Sequence, residues 1–312
     1  IQNSNFSGLD CTSSKLTGCL LDGKYSSVAL SGIISSNSTL GDNNSIFYFE
    51  GDTADTVSIS NLDLANVMGS LVGAIQVANV SLSLSSIRYP NSQPSLITGY
   101  NVAKISVTNV YVESTDSSLM VDSTIYCENC IEVDISHSNF ISNHKEGVKN
   151  GGALSVAFTT DSDTKRSVNI DTCTFTNYAV PNNGGVLNIK DYDLTIINSN
   201  FSNNLANGYG GAIFYTTESN YNATININGG TYHNNSATLA GGAIAIIDAI
   251  ASWAIDQCQF TENFAVATGS YNLSTTSKGG AIYFSCDACA QSFISNSHFE
   301  SNQADIGGAM YF

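Results

Sequence analysis

Positive charge is scarce in this chain. Ten Lys and Arg face 26 Asp and Glu, a formal net charge of -16, and the only arginines are Arg88 and Arg166. A nucleic-acid partner needs a basic patch to neutralise phosphates, so that class is set aside. The acidity fits a long surface that must stay soluble. There is no starting Met, no signal-like apolar segment and no transmembrane run, which leads us to expect a mature secreted or excised chain without membrane insertion. The nearly apolar stretch from Leu239 to Ile255 contains Asp248, costly in a bilayer, and a glycine pair that places it inside a repeat.

What the sequence has in quantity is one repeated pattern. Gly210-Gly211-Ala212-Ile213 recurs at Gly151-Gly152-Ala153-Leu154, Gly184-Gly185-Val186-Leu187, Gly241-Gly242-Ala243-Ile244, Gly279-Gly280-Ala281-Ile282 and Gly307-Gly308-Ala309-Met310. Between these lie Phe140, Phe175, Phe201, Tyr232, Phe260 and Phe299, mostly followed three residues later by Asn: Asn143, Asn204, Asn235, Asn263 and Asn302. Five residues before each aromatic stands an isoleucine: Ile135, Ile170, Ile196, Ile227, Ile255 and Ile294. The column extends upstream through Val107, Leu84, Ile59 and Leu30 to Ile1, at spacings of 23 to 39 residues. The repeat therefore covers the whole chain.

A second column, three residues before the aromatic place, holds mostly turn residues: Asn3, Gly32, Asn61, Ser86, Asn109, His137, Thr172, Asn198, Gly229, Gln257 and Asn296. A third, two before it, is small in the motif-bearing rungs: Ser4, Ser138, Cys173, Ser199, Gly230, Cys258 and Ser297. After each glycine pair apolar residues alternate, as in Ile213/Tyr215 and Ile282/Phe284, which indicates strands rather than helix. A rung this thin buries nothing alone, so stacking must make the core. The expected fold is all-β: a right-handed parallel β-helix of about eleven rungs, three short strands each, forming one solenoid over 1–312 with degenerate rungs in 1–139 and motif-bearing rungs in 140–312.

Gly-Gly-Ala-(Ile/Leu/Val) paired with Phe-x-x-Asn resembles the repeat of the chlamydial polymorphic outer-membrane proteins, also found in protist surface proteins. That resemblance covers 140–312 well and thins to a hydrophobic pattern before it. It implies a surface-exposed β-helical passenger implicated in adhesion. Nothing in the chain resembles the membrane barrel of that family.

Eight cysteines suggest an oxidising compartment. Cys11 and Cys19 are expected to close a loop in the first rung. Cys127/Cys130 and Cys286/Cys289, both Cys-x-x-Cys, each end five residues before a column isoleucine and are expected to be local turn-closing disulfides in one phase of the coil. Five rungs separate them, about 24 Å at ~4.8 Å per strand, so they cannot share a zinc ion. Cys173 and Cys258, three rungs apart in the small column, are expected to be buried free thiols.

On the outward side, Ser58/Ser60, Ser83/Ser85 and Ser106/Thr108 form a ladder of hydroxyls two wide over three rungs, half kept by Ser31 beside Ala29. Such an array suits lateral contacts, O-linked sugar or a polysaccharide, or is simply polar and compatible with a pleated surface. Sequons begin at Asn5, Asn37, Asn43, Asn79, Asn200, Asn222, Asn234 and Asn272, about as many as chance supplies in a chain this rich in Asn, Ser and Thr. The secretory expectation favours their modification, above all in loops such as that holding Asn272.

Parallel β-helices include polysaccharide-cleaving enzymes, whose chemistry would need clustered carboxylates with a basic residue or a histidine beside them. His137, His144, His233 and His298 fall in different columns. Asp191/Asp193, Asp161/Asp163 and Glu132/Asp134 have the i, i+2 spacing that brings two carboxylates to glycosidase separation on a strand. Such pairs are more often solvated edges, and the calcium-binding nonapeptide is absent. No metal or cofactor is expected.

Ile1 to Ser7 repeats Ile196 to Ser202 in six of seven places, and Gly307 to Phe312 is the strand after which the isoleucine column is next due. No polar cap is visible at either end, which leads to the expectation of a head-to-tail homopolymer joined through Ile1, Ser4 and Phe6 against Phe299, Met310 and Phe312. A segment of a longer repeat protein would show the same phase. The expected function is a non-catalytic, glycosylated, extracellular or cell-surface structural protein of a fibre. The alternatives are an adhesin passenger, with the insertion from Ala265 to Lys278 as the adhesive patch for glycans or host-surface molecules, and a polysaccharide-binding or polysaccharide-cleaving β-helix.

Overall fold

The computed structural model of the chain is a parallel β-helix. It describes residues 2–7, 10–11, 18–24, 27–40, 44–52, 54–69, 73–92, 95–114, 123–142, 150–159, 164–217, 221–247, 251–266, 276–286 and 292–312, with the side chains of 2–7, 10–11, 18–19, 22–24, 69 and 251 outside that description. All the described regular structure is strand. Two long sheets of 17 and 11 strands run the length of the coil, and sheets of four and three strands lie at the corner between them.

The columns read from the sequence are the registers of the longer sheet. Leu30, Ile59, Leu84, Val107, Ile135, Ile170, Ile196, Ile227, Ile255 and Ile294 pair in succession, each with the same place one rung on. Gln2 pairs with Ser31, one place past the column, which keeps the first rung in phase. The 11-strand sheet takes one strand per rung, giving eleven rungs from Gly18–Lys24 to Met310–Tyr311.

The bend column does what turn residues predict. Gly32, Asn61, Ser86, Asn109, His137, Thr172, Asn198, Gly229, Gln257 and Asn296 all have φ between 47° and 72°. A left-handed residue turns the chain without spending a loop. It also divides the first of the three strands expected per rung. In motif-bearing rungs that strand is two pieces, such as Asp193–Ile197 and Asn200–Ser202. In the degenerate rungs Thr56–Ala65, Ser81–Ser92 and Lys104–Ser114 the pairing runs on through the bend.

Inside, the six aromatic rings from Phe140 to Phe299 form one continuous stack with centroids 4.7–5.1 Å apart. A second stack, Trp253 on Phe284 on Phe312, fills the neighbouring interior of the last rungs. Arg166, 3% exposed, lies between the rings of Phe158 and Tyr221, 4.1 and 4.2 Å from their centroids, and donates from Nε to the Asp191 carbonyl. Ring faces and carbonyl together offset the cost of burying its charge.

Candidate functional site: interior ladders and outer faces

The asparagine three residues after the aromatic is a structural side chain with a complete set of bonds. Asn235 Oδ1 accepts from both the backbone N–H and the Nδ2 of Asn204, at 3.2 and 2.9 Å. Its own Nδ2 donates to Phe201 O and Asn263 Oδ1, both at 3.0 Å. Asn263 repeats the arrangement onto Asn302 and Tyr232 O. Asn204, Asn235 and Asn263 are fully buried, so the ladder runs through the interior. A primary amide suits it because it offers two donors and a two-lone-pair acceptor at one tip.

The small column is a second ladder, and its chemistry is more than size. Ser199 Oγ accepts the Cys173 N–H at 3.1 Å and donates to Ile197 O, two residues back across the bend, at 2.9 Å. Ser138 and Ser297 do the same in their rungs. Cys173 and Cys258 take this place with their thiols, Sγ lying 3.3 and 3.2 Å from the carbonyls of Asp171 and Asp256. Both are free and buried, as expected. Burial pushes the Cys173 thiol up to about 11 and that of Cys258 up to about 12. Neither is a reactive thiolate at neutral pH.

The glycine pair has a steric origin. A Cβ on Gly211 would lie 2.1 Å from the carbonyl oxygen of Gly242 in the next rung and 2.4 Å from that of Ser236. Rung must touch rung backbone to backbone at this corner, and only glycine allows it.

Cys127 and Cys130 form a disulfide, with Cα atoms 6.0 Å apart around left-handed Asn129, and both are buried. Cys286 is disulfide-bonded too. The two Cys-x-x-Cys units do not share a phase on the strand that precedes them. Cys127 lies within Ile125–Glu128, at the place Phe284 holds later, whereas Cys286 falls just beyond Ile282–Ser285. The link from that strand to the next isoleucine is two residues longer in the second case, which counting back from the isoleucine column conceals.

Cys289, Ile1, Asn43, Asn272, Asn143, His144, Asp161 and Asp163 lie outside the described residues, as do the side chains of Cys11, Cys19, Ser4, Asn5 and Phe6. Asn37, Asn200, Asn222 and Asn234 are exposed and Asn79 half-buried. Asn37, Asn79 and Asn234 sit at left-handed corners, and Asn200 lies in a strand with its Oδ1 holding the Thr231 N–H and Oγ1. On the last rung Phe299 and Met310 are half-buried and Phe312 is 67% exposed.

Neither of the two described carboxylate pairs forms an open acid–base site. Glu132 and Asp134 share one strand, but Lys104 Nζ lies between them at 2.9 and 2.6 Å. Asp191 is buried at a left-handed corner, while Asp193 opens the following strand, so the pair does not stand side by side. His233 meets Thr261, His298 meets Glu300 and His137 sits at the bend, on three different columns. Among the described residues no three His, Cys, Asp or Glu side chains gather as a metal site, and no helix is long and apolar enough to cross a membrane.

The hydroxyl ladder stands in register on the outer face of the long sheet, with Ser58, Ser83 and Ser106 in one file and Ser60, Ser85 and Thr108 in the other. Thr108 Oγ1 meets Ser136 Oγ at 3.1 Å. The outer face of the 11-strand sheet carries large aromatic residues, whose outward placement follows from the strand alternation. Phe214, Tyr283 and Tyr311 follow the column residues Ile213, Ile282 and Met310, so they point outward.

No protein-family model, no curated protein and no solved structure matches the chain.

Proposed function

We propose that this chain is a non-catalytic structural β-helix, a glycosylated subunit of an extracellular or cell-surface fibre in which copies continue one another's coil head to tail. The observation that carries this reading is the self-complementarity of the rungs. Amide, glycine and ring ladders repeat from rung to rung throughout 196–302, while the small column between them varies as Ser199, Gly230, Cys258 and Ser297, so most of the surface a rung offers to the next has one chemistry. The buried Asn and Ser side chains join rung to rung, Glu132 and Asp134 share a salt bridge to Lys104, and Asp191 lies at a corner. The buried disulfide favours an oxidising, secretory setting, in which the exposed sequons are open to modification. The resemblance to chlamydial-type surface repeats points the same way.

Electron microscopy of the purified chain tests it. Filaments with an axial repeat near eleven rungs, roughly 53 Å at ~4.8 Å per rung, are expected. Discrete rods of that length at high protein concentration would overturn head-to-tail continuation. In sequence the first rung offers Ser4 and Phe6 in ladder phase but Leu9 at the asparagine place. Leu9→Asn is therefore expected to lengthen the filaments.

A further inference from the structure

The long sheet carries two kinds of polar outer face. In the motif-bearing rungs outward side chains bond from rung to rung, Asn169 Nδ2 to Asp134 Oδ1 at 2.8 Å and Ser295 Oγ to Asp256 Oδ1 at 2.7 Å. In the degenerate rungs the outward places of residues 27–31, 56–60, 81–85 and 104–108 hold ten hydroxyls, with Ala29 and Lys104 the two exceptions. None of these places is buried. Among the described residues only one of the ten, that of Thr108, makes a side-chain hydrogen bond, with Ser136 at 3.1 Å.

Pairing runs across this field without a slip, Ser58 with Ala29 and Ser83, Ser60 with Ser31 and Ser85, so the hydroxyls stand in straight files. Neighbours lie about 4.8 Å apart along a file and about 6.6 Å apart between files, from the strand spacing and two residues of rise. The field has borders. Past the bend column stands the Arg88 and Asp63 ion pair at 3.1 Å, and beyond Ser106 the next place is Asp134, which shares Lys104 with Glu132. Within them, in a chain of net charge -16, the outward places hold no carboxylate, no ring and no long apolar group.

That composition narrows what the field can hold. Protein interfaces are built on aromatic, Met and Arg side chains and are poor in Ser. Small-molecule and sugar sites are concave and lined by apolar and aromatic groups, whereas this is the outer face of a sheet. A hard cation or an ionic mineral calls for carboxylates. What remains is a partner made of donors and acceptors alone, repeating in two directions. Ice is such a partner, because every oxygen at its surface donates and accepts, in rows whose repeats are of the same order as these. A single hydroxyl gains nothing from ice that liquid water does not offer, so a preference has to come from many hydroxyls engaging one crystal at once.

We propose that the hydroxyl field over residues 27–108 is an ice-binding surface, its files seating rows of water at the crystal face. The proposal does not rest on fibre assembly, since one subunit carries the whole field.

The test is thermal hysteresis and inhibition of ice recrystallisation by the full chain, prepared without N-glycans because the sequon at Asn79 ends on Ser81 of the field. Both activities are expected. Ser83→Lys, exposed in the middle file, sets a long charged chain into the lattice and is expected to abolish them, while Ser83→Thr keeps the hydroxyl and retains them. Asn226→Lys, exposed on the same sheet outside the field, should act as the parent does. Thermal melts check that each variant folds, and Ser58→Lys in the same file carries the test should Ser83→Lys not. No effect of the parent on ice, activity indifferent to a lysine in the field, or equal loss from Asn226→Lys would overturn the proposal. Retention on crystalline cellulose or chitin with no effect on ice would overturn it too, giving the field to a polysaccharide.

Discussion

Replacing Asn235 with alanine removes four hydrogen bonds at a point without solvent: two accepted from Asn204, one donated to Phe201 O and one to Asn263 Oδ1. At about 1 kcal/mol net for each neutral bond, the loss is about 4 kcal/mol. The amide of Asn204 is left facing a cavity the size of the missing side chain, and Asn204 is itself buried, which pushes the cost upward rather than down. The comparison is Asn188→Ala. That side chain is half-buried in a strand on the outer face and makes one side-chain bond, Nδ2 to Ser155 Oγ at 3.2 Å. Its loss should cost about 1 kcal/mol or less, because water replaces the partner. Urea unfolding monitored by circular dichroism gives both values. Amide exchange through the rungs around Asn204 and Asn263 shows whether a loss is local, as expected in a stack where each rung contacts only its neighbours. If the two variants fall within about 1 kcal/mol of each other, the interior amide ladder is not what holds the rungs together.

Three further expectations come from the same interior. Tyr232 is the one hydroxylated ring in the stack, fully buried, and its OH has no partner among the described residues; Tyr232→Phe should raise the melting temperature, with a gain of about 1–3 kcal/mol for removing an unsatisfied group. The thiols of Cys173 and Cys258 titrate above their ordinary value of 9.0 because burial favours the neutral form, so their contribution is complete below pH 9 and is lost as pH rises through about 11 and 12; the double variant Cys173→Ser, Cys258→Ser should match the parent at pH 7, since serine fills this place elsewhere, and decline less between pH 9 and 10 in pH-dependent melts. Gly211→Ala drives a Cβ into the carbonyl of Gly242 and should cost several kcal/mol, about 3 or more, read as a lower urea midpoint.

Much of this coil was legible because its periodicities are properties of single residues. A rung too thin to bury its own face needs the same apolar residue at the same place in every turn, so the isoleucine column predicted register directly. The bends were legible because a left-handed residue is selected locally, whatever surrounds it, and ten such predicted positions adopt it. The aromatic and glycine motifs were equally visible as patterns. Their reasons were not: that the Asn amide closes a four-bond ladder, and that the second glycine faces a carbonyl of the next rung, depend on atoms about thirty residues away.

The outer surface divided differently. Inward and outward positions follow from alternation, yet the sequence cannot say which outward side chains from separate rungs meet, because loops of unequal length intervene. Glu132 and Asp134 looked like a free carboxylate pair until register brought Lys104 between them. Cys127 and Cys286 looked equivalent until the strands set them two places apart. Phe214, Tyr209, Tyr283 and Tyr311 are far apart in sequence and became a strip only when the rungs stacked. Sequence alone determined the coil, its phase and its bends, since each follows from residues acting on their own backbone. Tertiary structure decided which side chains share a face, since that depends on how loops of different length return each rung to register.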